Sequence, residues 1–268
     1  QSGNYNTMRV SGDYVYLLSD FNASIVNGRD AIGEYVPSVQ GKLVEDSNIC
    51  MPQYVRGDTY TVVSSFSLKN PEEKVDSKAI FGCSGLVYVS KNNIYVCESY
   101  YNSDDSDVTQ TCIRKISYKD GILKAVGQTR IDGTLNDSFS LDEYEGNLRL
   151  VTTVSSNGDS GIMPLVLFGD SADSEIAKQE DTNYLYILDE KLNELSKIED
   201  IAKDEQVYSA RFIGKTGYVV TYKQTDPLFS IDLSDPKNPQ IIGELKIPGF
   251  SEYLHPYGDG KLLGIGMD

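Results

Sequence analysis

The most constraining feature of the sequence is a short β-hairpin pattern that recurs five times. In each copy, two runs rich in apolar residues flank a polar turn, as expected for paired antiparallel strands. The second strands begin at Tyr14, Ile94, Leu148, Tyr218 and Leu262, so by subtraction the spacings are 80, 54, 70 and 44 residues. Because four-stranded propeller blades repeat every ~40–45 residues, the last spacing indicates a propeller blade and the others a blade with added length.

Two further strands complete each of the first four repeats. Runs rich in β-branched and aromatic residues are predicted as third strands at 60–68, 111–118, 184–188 and 228–233. After a turn rich in Asn, Asp, Gly or Pro, fourth strands are predicted at 74–80, 122–131, 195–201 and 240–247. The sequence therefore predicts an all-β fold, with blades over 8–81, 86–131, 138–201, 207–247 and a partial one over 251–268.

This pattern predicts an incomplete β-propeller ring of about four antiparallel four-stranded blades and half of a fifth. We expect residues 1–268 to form one propeller fragment of a natural protein that continues beyond one or both ends. An unclosed ring leaves sheet edges exposed, and exposed edges favour pairing with another copy of the chain.

The added length lies at one repeated point, between the second and third strands. The insertions cover 21–58, 100–110 and 155–182, whereas the shortest link covers only 223–227. Because strands alternate in direction, these insertions are predicted to leave the blades on one face, where loops on a rigid scaffold often carry function. Insertion without function is the alternative, since longer loops cost little stability. Short helical or turn segments are predicted at 173–180 and 201–205.

Composition excludes some classes of partner. The 40 acidic and 24 basic residues give a net charge of −16, which argues against nucleic acid. The acidic excess fits either a solvated surface or attraction of cations and basic partners. The longest apolar run, 162–168, is far shorter than the ~20 residues of a membrane-spanning helix.

The four cysteines give no zinc-site spacing. Cys50, Cys83, Cys97 and Cys112 contain no Cys-x-x-Cys pair. Cys97 and Cys112 fall on neighbouring predicted strands, so a disulfide between them is one interpretation and buried or free thiols are the other.

The stretch from Tyr208 to the end of the chain resembles a known family, and earlier segments at 75–79, 87–95 and 139–146 agree with it. The sequences are Tyr-Ser-Ala-Arg-Phe-Ile-Gly at 208–214, Gln-Thr-Asp-Pro-Leu-Phe-Ser-Ile-Asp-Leu-Ser-Asp-Pro-Lys-Asn-Pro at 224–239 and Tyr-Leu-His-Pro-Tyr at 253–257. They resemble bacterial and archaeal secreted proteins that carry a C-terminal β-propeller distantly related to WD40 repeats. This resemblance implies a propeller fold and secretion or cell-surface display, and it assigns no catalytic residues. The insertion around 158–182 departs from the family pattern.

Candidate catalytic groups are few. His255 is the one histidine, and no Gly-x-Ser-x-Gly elbow accompanies it, so we expect a hydrogen-bonded structural role. Asp226, Asp232 and Asp235 could supply paired carboxylates for glycoside hydrolysis. In Asp-Leu-Ser-Asp-Pro, however, the short polar side chains are better suited to capping a turn.

Two insertion segments carry candidate binding residues. Asp104, Asp105 and Asp107 could bind calcium, although their spacing is not that of a calcium loop and a solvated acidic loop is the preferred interpretation. The run 157–160 is a weaker candidate of the same kind. The apolar residues of the third insertion predict either an added strand or an interaction patch; they are Leu165, Val166, Leu167 and Phe168.

The sequence favours a secreted or cell-surface binding scaffold whose partner is a protein or a cell-wall or extracellular polysaccharide. No cofactor is expected apart from the calcium considered above. The alternative is a carbohydrate-active or other hydrolase or lyase with carboxylates around a central channel. Such an enzyme would place carboxylate, Arg, His or Tyr side chains at equivalent positions of several blades, and the sequence alone shows no such set. A module that only positions another domain is a third possibility.

Overall fold

The protein is built almost entirely of antiparallel strands. A computed structural model describes residues 3–23, 32–53, 57–82, 85–101, 108–155, 181–222, 226–247, 250–258 and 260–267. Helix in these residues is confined to three 3-10 turns at Ile32–Glu34, Asp46–Asn48 and Ser138–Ser140. None of the helices in the described ranges is long and apolar enough to cross a membrane.

The first sheet contains the first hairpin and part of the first insertion. In chain order the strands are β1 (Asn4–Ser11), β2 (Tyr14–Asn22), β3 (Ser38–Val39), β4 (Lys42–Leu43), β5 (Ile49–Cys50), β6 (Thr59–Ser67) and β7 (Lys74–Phe81). The sheet order is β1-β2-β6-β7-β5, and β3 and β4 form a separate pair. Strand β5 lies parallel to β7, with Cys50 opposite Ile80. The first insertion thus covers an outer sheet edge, a placement the sequence did not predict.

Three four-stranded sheets and one hairpin follow. They contain β8 (Leu86–Val89), β9 (Asn93–Tyr100), β10 (Gln110–Lys119), β11 (Ile122–Asp132), β12 (Leu141–Tyr144), β13 (Asn147–Ser155), β14 (Asp181–Leu188), β15 (Glu194–Ile201), β16 (Gln206–Ile213), β17 (Thr216–Tyr222), β18 (Asp226–Asp232), β19 (Gln240–Ile247), β20 (Phe250–Pro256) and β21 (Leu262–Met267). Each four-stranded sheet has its strands in sequence order. The predicted third and fourth strands are confirmed, with ends that differ by a few residues.

The chain forms two compact units, each with its own apolar core. The first unit comprises Gln1–Glu98 and Cys112–Thr129, and the second comprises Ser99–Thr111 and Arg130–Asp268. Buried residues of the first core are Tyr16, Leu18, Val63, Ile80, Ile94, Val96, Ile116, Tyr118 and Leu123. Those of the second include Val151, Leu185, Ile187, Ile201, Val207, Val219 and Ile231. Alternate residues of these strands point into the cores, as the period of a half-buried strand requires.

The two ends of the third sheet differ in character. Ser155 of β13 lies opposite Asp181 of β14, on either side of the third insertion. Asn183 lies opposite Ile201, so β15 ends there and the 202–205 loop starts at the same end. We call the end of the third sheet that carries Ser155, Asp181 and the start of the 202–205 loop the insertion end. The tight turn between β14 and β15 lies at the opposite end.

Cys97 and Cys112 are not joined by a disulfide, so the disulfide interpretation was wrong. Lys115 lies over the ring of Tyr95, with Nζ 5.5 Å from its centroid. Successive side chains of a strand point to opposite sides of the sheet. Arg114 is next to Lys115 and Glu98 is three residues from Tyr95, so the Arg114–Glu98 ion pair lies on the other side of the sheet. Cys97 is two residues from Tyr95 and Cys112 is two from Arg114, which places the two thiols on opposite sides. Cys83 lies outside the described residues.

Candidate functional site

A cavity of about 340 Å³ lies at the insertion end of the third sheet. Val108 of the second insertion and Val154, next to the third, form part of its wall. Its polar wall consists of Asp181, Thr182, Tyr184, Asp200, Lys203 and Asp204. Described residues of two insertions thus line one cavity, and all of its wall residues belong to the second compact unit.

The cavity wall has an excess of negative charge. The Lys203 ammonium lies 3.2 Å from Asp200 Oδ2, and the other two carboxylates belong to Asp181 and Asp204. Gln206 donates a 2.7 Å hydrogen bond to Asp181 Oδ2. Burial, and then the negative charge of Glu199 and Asp200, raise the pKa of Tyr184. Such a wall attracts a cationic group more than an anion.

The geometry does not indicate a metal centre. Within the described ranges, no group of three or more His, Cys, Asp or Glu residues is arranged to hold a metal ion.

A buried polar network holds the loop that borders the cavity. Asn183 has no exposed surface, and its side-chain amide donates to the carbonyls of Ile201 at 2.9 Å and Glu205 at 3.0 Å. Asp200, Ala202 and Asp204 have φ values of 57°, 50° and 64°, in the left-handed region that non-glycine residues seldom adopt. The predicted turn at 201–205 is confirmed, but no sequence pattern indicated that Asn183 would hold it.

A second cluster joins the first strands β16 and β20 to the 3-10 turn Ser138–Ser140 that precedes β12. The guanidinium carbon of Arg211 on β16 lies 4.5 Å from the ring centroid of Phe139 and 5.7 Å from that of Tyr253 on β20. The two rings are 5.4 Å apart. His255 Nδ1 lies 3.2 Å from the Tyr253 hydroxyl. Here the structure brings together Arg, Tyr and His groups from successive repeats, a convergence that the sequence did not reveal.

Comparison with known proteins identifies the fold family. A family model described as the beta propeller domain matches residues 1–268. The chain belongs to the beta propeller domain family. Each four-stranded sheet is therefore a propeller blade, and the predicted fold class is confirmed.

The relatives add no named activity. An uncharacterized protein from Archaeoglobus fulgidus is 40% identical over 171 residues, which cover 64% of this chain and 23% of that protein. Uncharacterized protein MJ1554 from Methanocaldococcus jannaschii is also 40% identical over 171 residues, covering 64% of this chain and 24% of its own length. The matched region thus spans about a quarter of each of these relatives.

The matched solved structures are remote. An ACO/RPE65 chimera covers 76% of this propeller chain and 47% of its own, with a TM-score of 0.42 and 9% identity. Cobalt-substituted Synechocystis ACO has the same coverage, with a TM-score of 0.40 and 11% identity.

Several predicted site residues of the propeller have structural roles. Asp232 Oδ1 accepts a 2.9 Å hydrogen bond from the Ser234 amide, and Asp235 Oδ1 accepts one of 2.9 Å from the Lys237 amide. Hydrogen bonds from Ser234 lower the pKa of Asp232. The turn-capping prediction is confirmed for both carboxylates. His255 lies near the end of β20, opposite Leu263.

Other predictions fall on residues that the structure does not describe. These are the calcium candidates Asp104, Asp105 and Asp107, the run 157–160, the 173–180 helix, and the interaction patch Leu165, Val166, Leu167 and Phe168. They stay predictions.

A smaller groove lies in the first compact unit, beside the first insertion. Its volume is about 220 Å³, and its wall includes Cys50, Met51, Pro52, Ile80 and Val126. Burial raises the pKa of the Cys50 thiol, and the positive charge of Lys78 partly offsets this shift. The groove is largely apolar and has fewer polar groups than the cavity in the second unit.

Proposed function

We propose that this propeller domain is a binding scaffold, and that the insertion end of its third blade is part of the ligand-binding surface. The observation that carries the proposal is the cavity of about 340 Å³ where residues of the second and third insertions meet. Pockets with convergent polar groups are the usual places where ligands bind.

The acidic wall favours a partner that presents a cation. The described wall carries three carboxylates, those of Asp181, Asp200 and Asp204, and one ammonium, that of Lys203. A lysine or arginine side chain of a partner protein would restore charge balance and lose little solvation in an open cavity. A protein with a basic segment is therefore the proposed partner, and an extracellular polysaccharide is the other class to be tested.

We also propose that the domain works outside the cytoplasm. The support is the resemblance to secreted propeller proteins. Fractionation of cells that express the natural full-length protein, with antibody detection, tests this point: recovery in the cytoplasmic fraction alone would contradict it.

Binding of labelled octalysine tests the cavity. Asp200→Asn with Asp204→Asn removes two charges from the wall, and Asn tolerates the left-handed backbone at both positions. The matched control is Glu190→Gln with Asp235→Asn, which removes two charges from turns at the opposite ends of their blades. We expect the cavity variant to bind about fivefold more weakly, equivalent to about 1 kcal/mol, and the control to change less than about twofold.

Two outcomes would contradict the proposal. Equal losses in both variants would mean that the net charge of −16, rather than the cavity, attracts the peptide. Tighter binding of a neutral extracellular polysaccharide than of octalysine, undiminished in the cavity variant, would place the partner in the other class and the binding surface elsewhere.

A further inference from the structure

Arg211 lies beside two aromatic rings whose centroids are 5.4 Å apart. Its guanidinium carbon lies 4.5 Å from the Phe139 ring centroid and 5.7 Å from the Tyr253 centroid. Phe139 is 40% exposed, and Arg211 and Tyr253 are half-buried, so the group reaches solvent. Contacts between a guanidinium and aromatic rings are favourable and restrict the orientation of the planar group.

The charge of Arg211 has no carboxylate partner among the residues that the structure describes. Arg114, by contrast, pairs with Glu98 at 3.0 Å, and Arg149 pairs with Asp142. Glu252, on the same strand as Tyr253, accepts a hydrogen bond of 3.3 Å from the Tyr208 hydroxyl. The chain has 40 acidic and 24 basic residues, yet within the described ranges Arg211 stacks on rings and forms no ion pair. It leaves guanidinium N–H donors for a ligand.

This arrangement defines the chemistry of a ligand. A guanidinium that packs on aromatic rings still presents its N–H edge to a ligand, and two parallel N–H groups match a carboxylate. Tyr253 and His255 add a hydroxyl and an imidazole, 3.2 Å apart, beside the same rings. A ligand with a carboxylate, an apolar face and hydroxyl groups would satisfy all of these groups.

We propose that Phe139, Arg211 and Tyr253 bind the uronic acid unit of a saccharide. The carboxylate pairs with Arg211, the C–H face of the sugar ring packs on the exposed aromatic surface, and His255 and the Tyr253 hydroxyl contact the sugar hydroxyls. The net charge of −16 repels a dense polyanion, so the unit is an isolated or terminal uronate. None of these four residues lines the acidic cavity, so this subsite does not depend on the proposed function.

Titration with two matched sugars tests the proposal. Methyl glucuronide and methyl glucoside differ only where a carboxylate replaces a hydroxymethyl group, and amide chemical shifts of the isotope-labelled protein report binding of each. We expect the glucuronide to bind about tenfold more tightly, because a charge-assisted bidentate pair is about twice as strong as a neutral hydrogen bond. The largest shifts should fall at Phe139, Arg211 and Tyr253.

Variants separate this subsite from general electrostatics. Arg211→Gln should abolish the preference for glucuronide, and Arg211→Lys should weaken it because an ammonium lacks the planar fork. Lys215→Gln removes the same charge from the adjacent turn and should keep the preference within about twofold. Phe139→Leu keeps Arg211 and should weaken binding of both sugars. Urea unfolding confirms that each variant is folded before titration.

Three results would overturn the proposal. They are equal binding of the two sugars by the wild type, retention of the preference in Arg211→Gln, and tighter binding of N-acetylphenylalanine than of glucuronide. The last would identify a peptide carboxylate as the ligand. Binding of octalysine at the insertion end would be unaffected by any of these results.

Discussion

The side-chain amide of Asn183 donates a hydrogen bond of 2.9 Å to the carbonyl oxygen of Ile201. A second bond of 3.0 Å reaches the Glu205 carbonyl, and the Thr153 hydroxyl donates to Asn183 Oδ1 at 2.8 Å. One fully buried side chain therefore fixes both ends of the loop that carries Asp204 of the acidic cavity. The shape of the cavity depends on a residue that does not line it.

Asn183→Ala should destabilise the propeller strongly. The change leaves two carbonyls and one hydroxyl without their buried partner, and each loss costs ~1–3 kcal/mol before relaxation and water entry. We expect the free energy of unfolding, measured by urea denaturation, to fall by about 2–4 kcal/mol. Thr182→Ala, on the neighbouring half-buried position, is the control and should cost less than about 1 kcal/mol. Similar losses in the two variants would show that the network contributes little.

Gly133 and Gly146 provide a second comparison, because both have positive φ, at 90° and 86°. An alanine Cβ at 133 would lie 2.6 Å from Thr152 Oγ1 and 2.7 Å from the Thr153 carbonyl oxygen, whereas at 146 nothing lies within 4 Å. Gly146→Ala should cost about 1–2 kcal/mol from backbone strain alone. Gly133→Ala should cost about 2 kcal/mol more from the added clash. Equal midpoints in urea would contradict the close approach at 133.

Much of the fold is local and could be predicted from the sequence. A continuous run of apolar and aromatic residues defines β14, and turn chemistry defines the turns at Asp232 and Asp235, without knowledge of distant residues. The Cys97–Cys112 interpretation failed because sequence placed the strands side by side but not their register. A one-residue shift in register moves a side chain to the other face of a sheet.

The polar clusters could not be predicted in the same way. Arg211, Phe139 and Tyr253 meet because β16 packs against both β20 and the 3-10 turn Ser138–Ser140. A repeat pattern in the sequence does not show which side chains touch across such contacts. In the sequence, Asn183 cannot be distinguished from any other polar residue at the start of a strand, because its partners Ile201 and Glu205 are 18 and 22 residues away. Strand β5 is two residues long, too short for any periodic pattern.

Arg149 should be far more important to stability than the exposed ion pair of Lys69. The Arg149 side chain is 3% exposed, donates to Asp142 Oδ2 at 3.1 Å through Nε and to the Gly214 carbonyl at 2.6 Å. Arg149→Met leaves a carboxylate and a carbonyl without these donors and should cost about 3–5 kcal/mol. Lys69→Met breaks a 2.6 Å pair with Asp13 that is well exposed, and should cost less than about 1 kcal/mol. Equal urea midpoints in the two variants would contradict the difference.

The buried tyrosine Tyr186 should make the propeller unstable in alkali. Its side chain is 2% exposed, and burial, together with the negative charge of Asp132, raises its pKa well above the usual value. The folded state therefore keeps this proton when the unfolded state loses it, above pH ~10. Because the native state then binds more protons, the free energy of unfolding falls as pH rises, by up to ~1.4 kcal/mol per pH unit for this group.

Tyr186→Phe removes this titration and should flatten the pH dependence. We expect the free energies of unfolding of wild type and variant, measured in urea, to differ by a constant amount from pH 7 to about 9. In that range Tyr186 is protonated in both the folded and the unfolded state. Above pH ~10 the free energy of unfolding of the wild type should fall relative to that of the variant, by up to ~1.4 kcal/mol per pH unit. The phenylalanine also loses a long hydrogen bond of 3.4 Å to the Asp132 carbonyl, which sets the constant offset at lower pH. Parallel curves up to pH ~11 would mean that Tyr186 ionises as readily in the folded protein as in the unfolded chain.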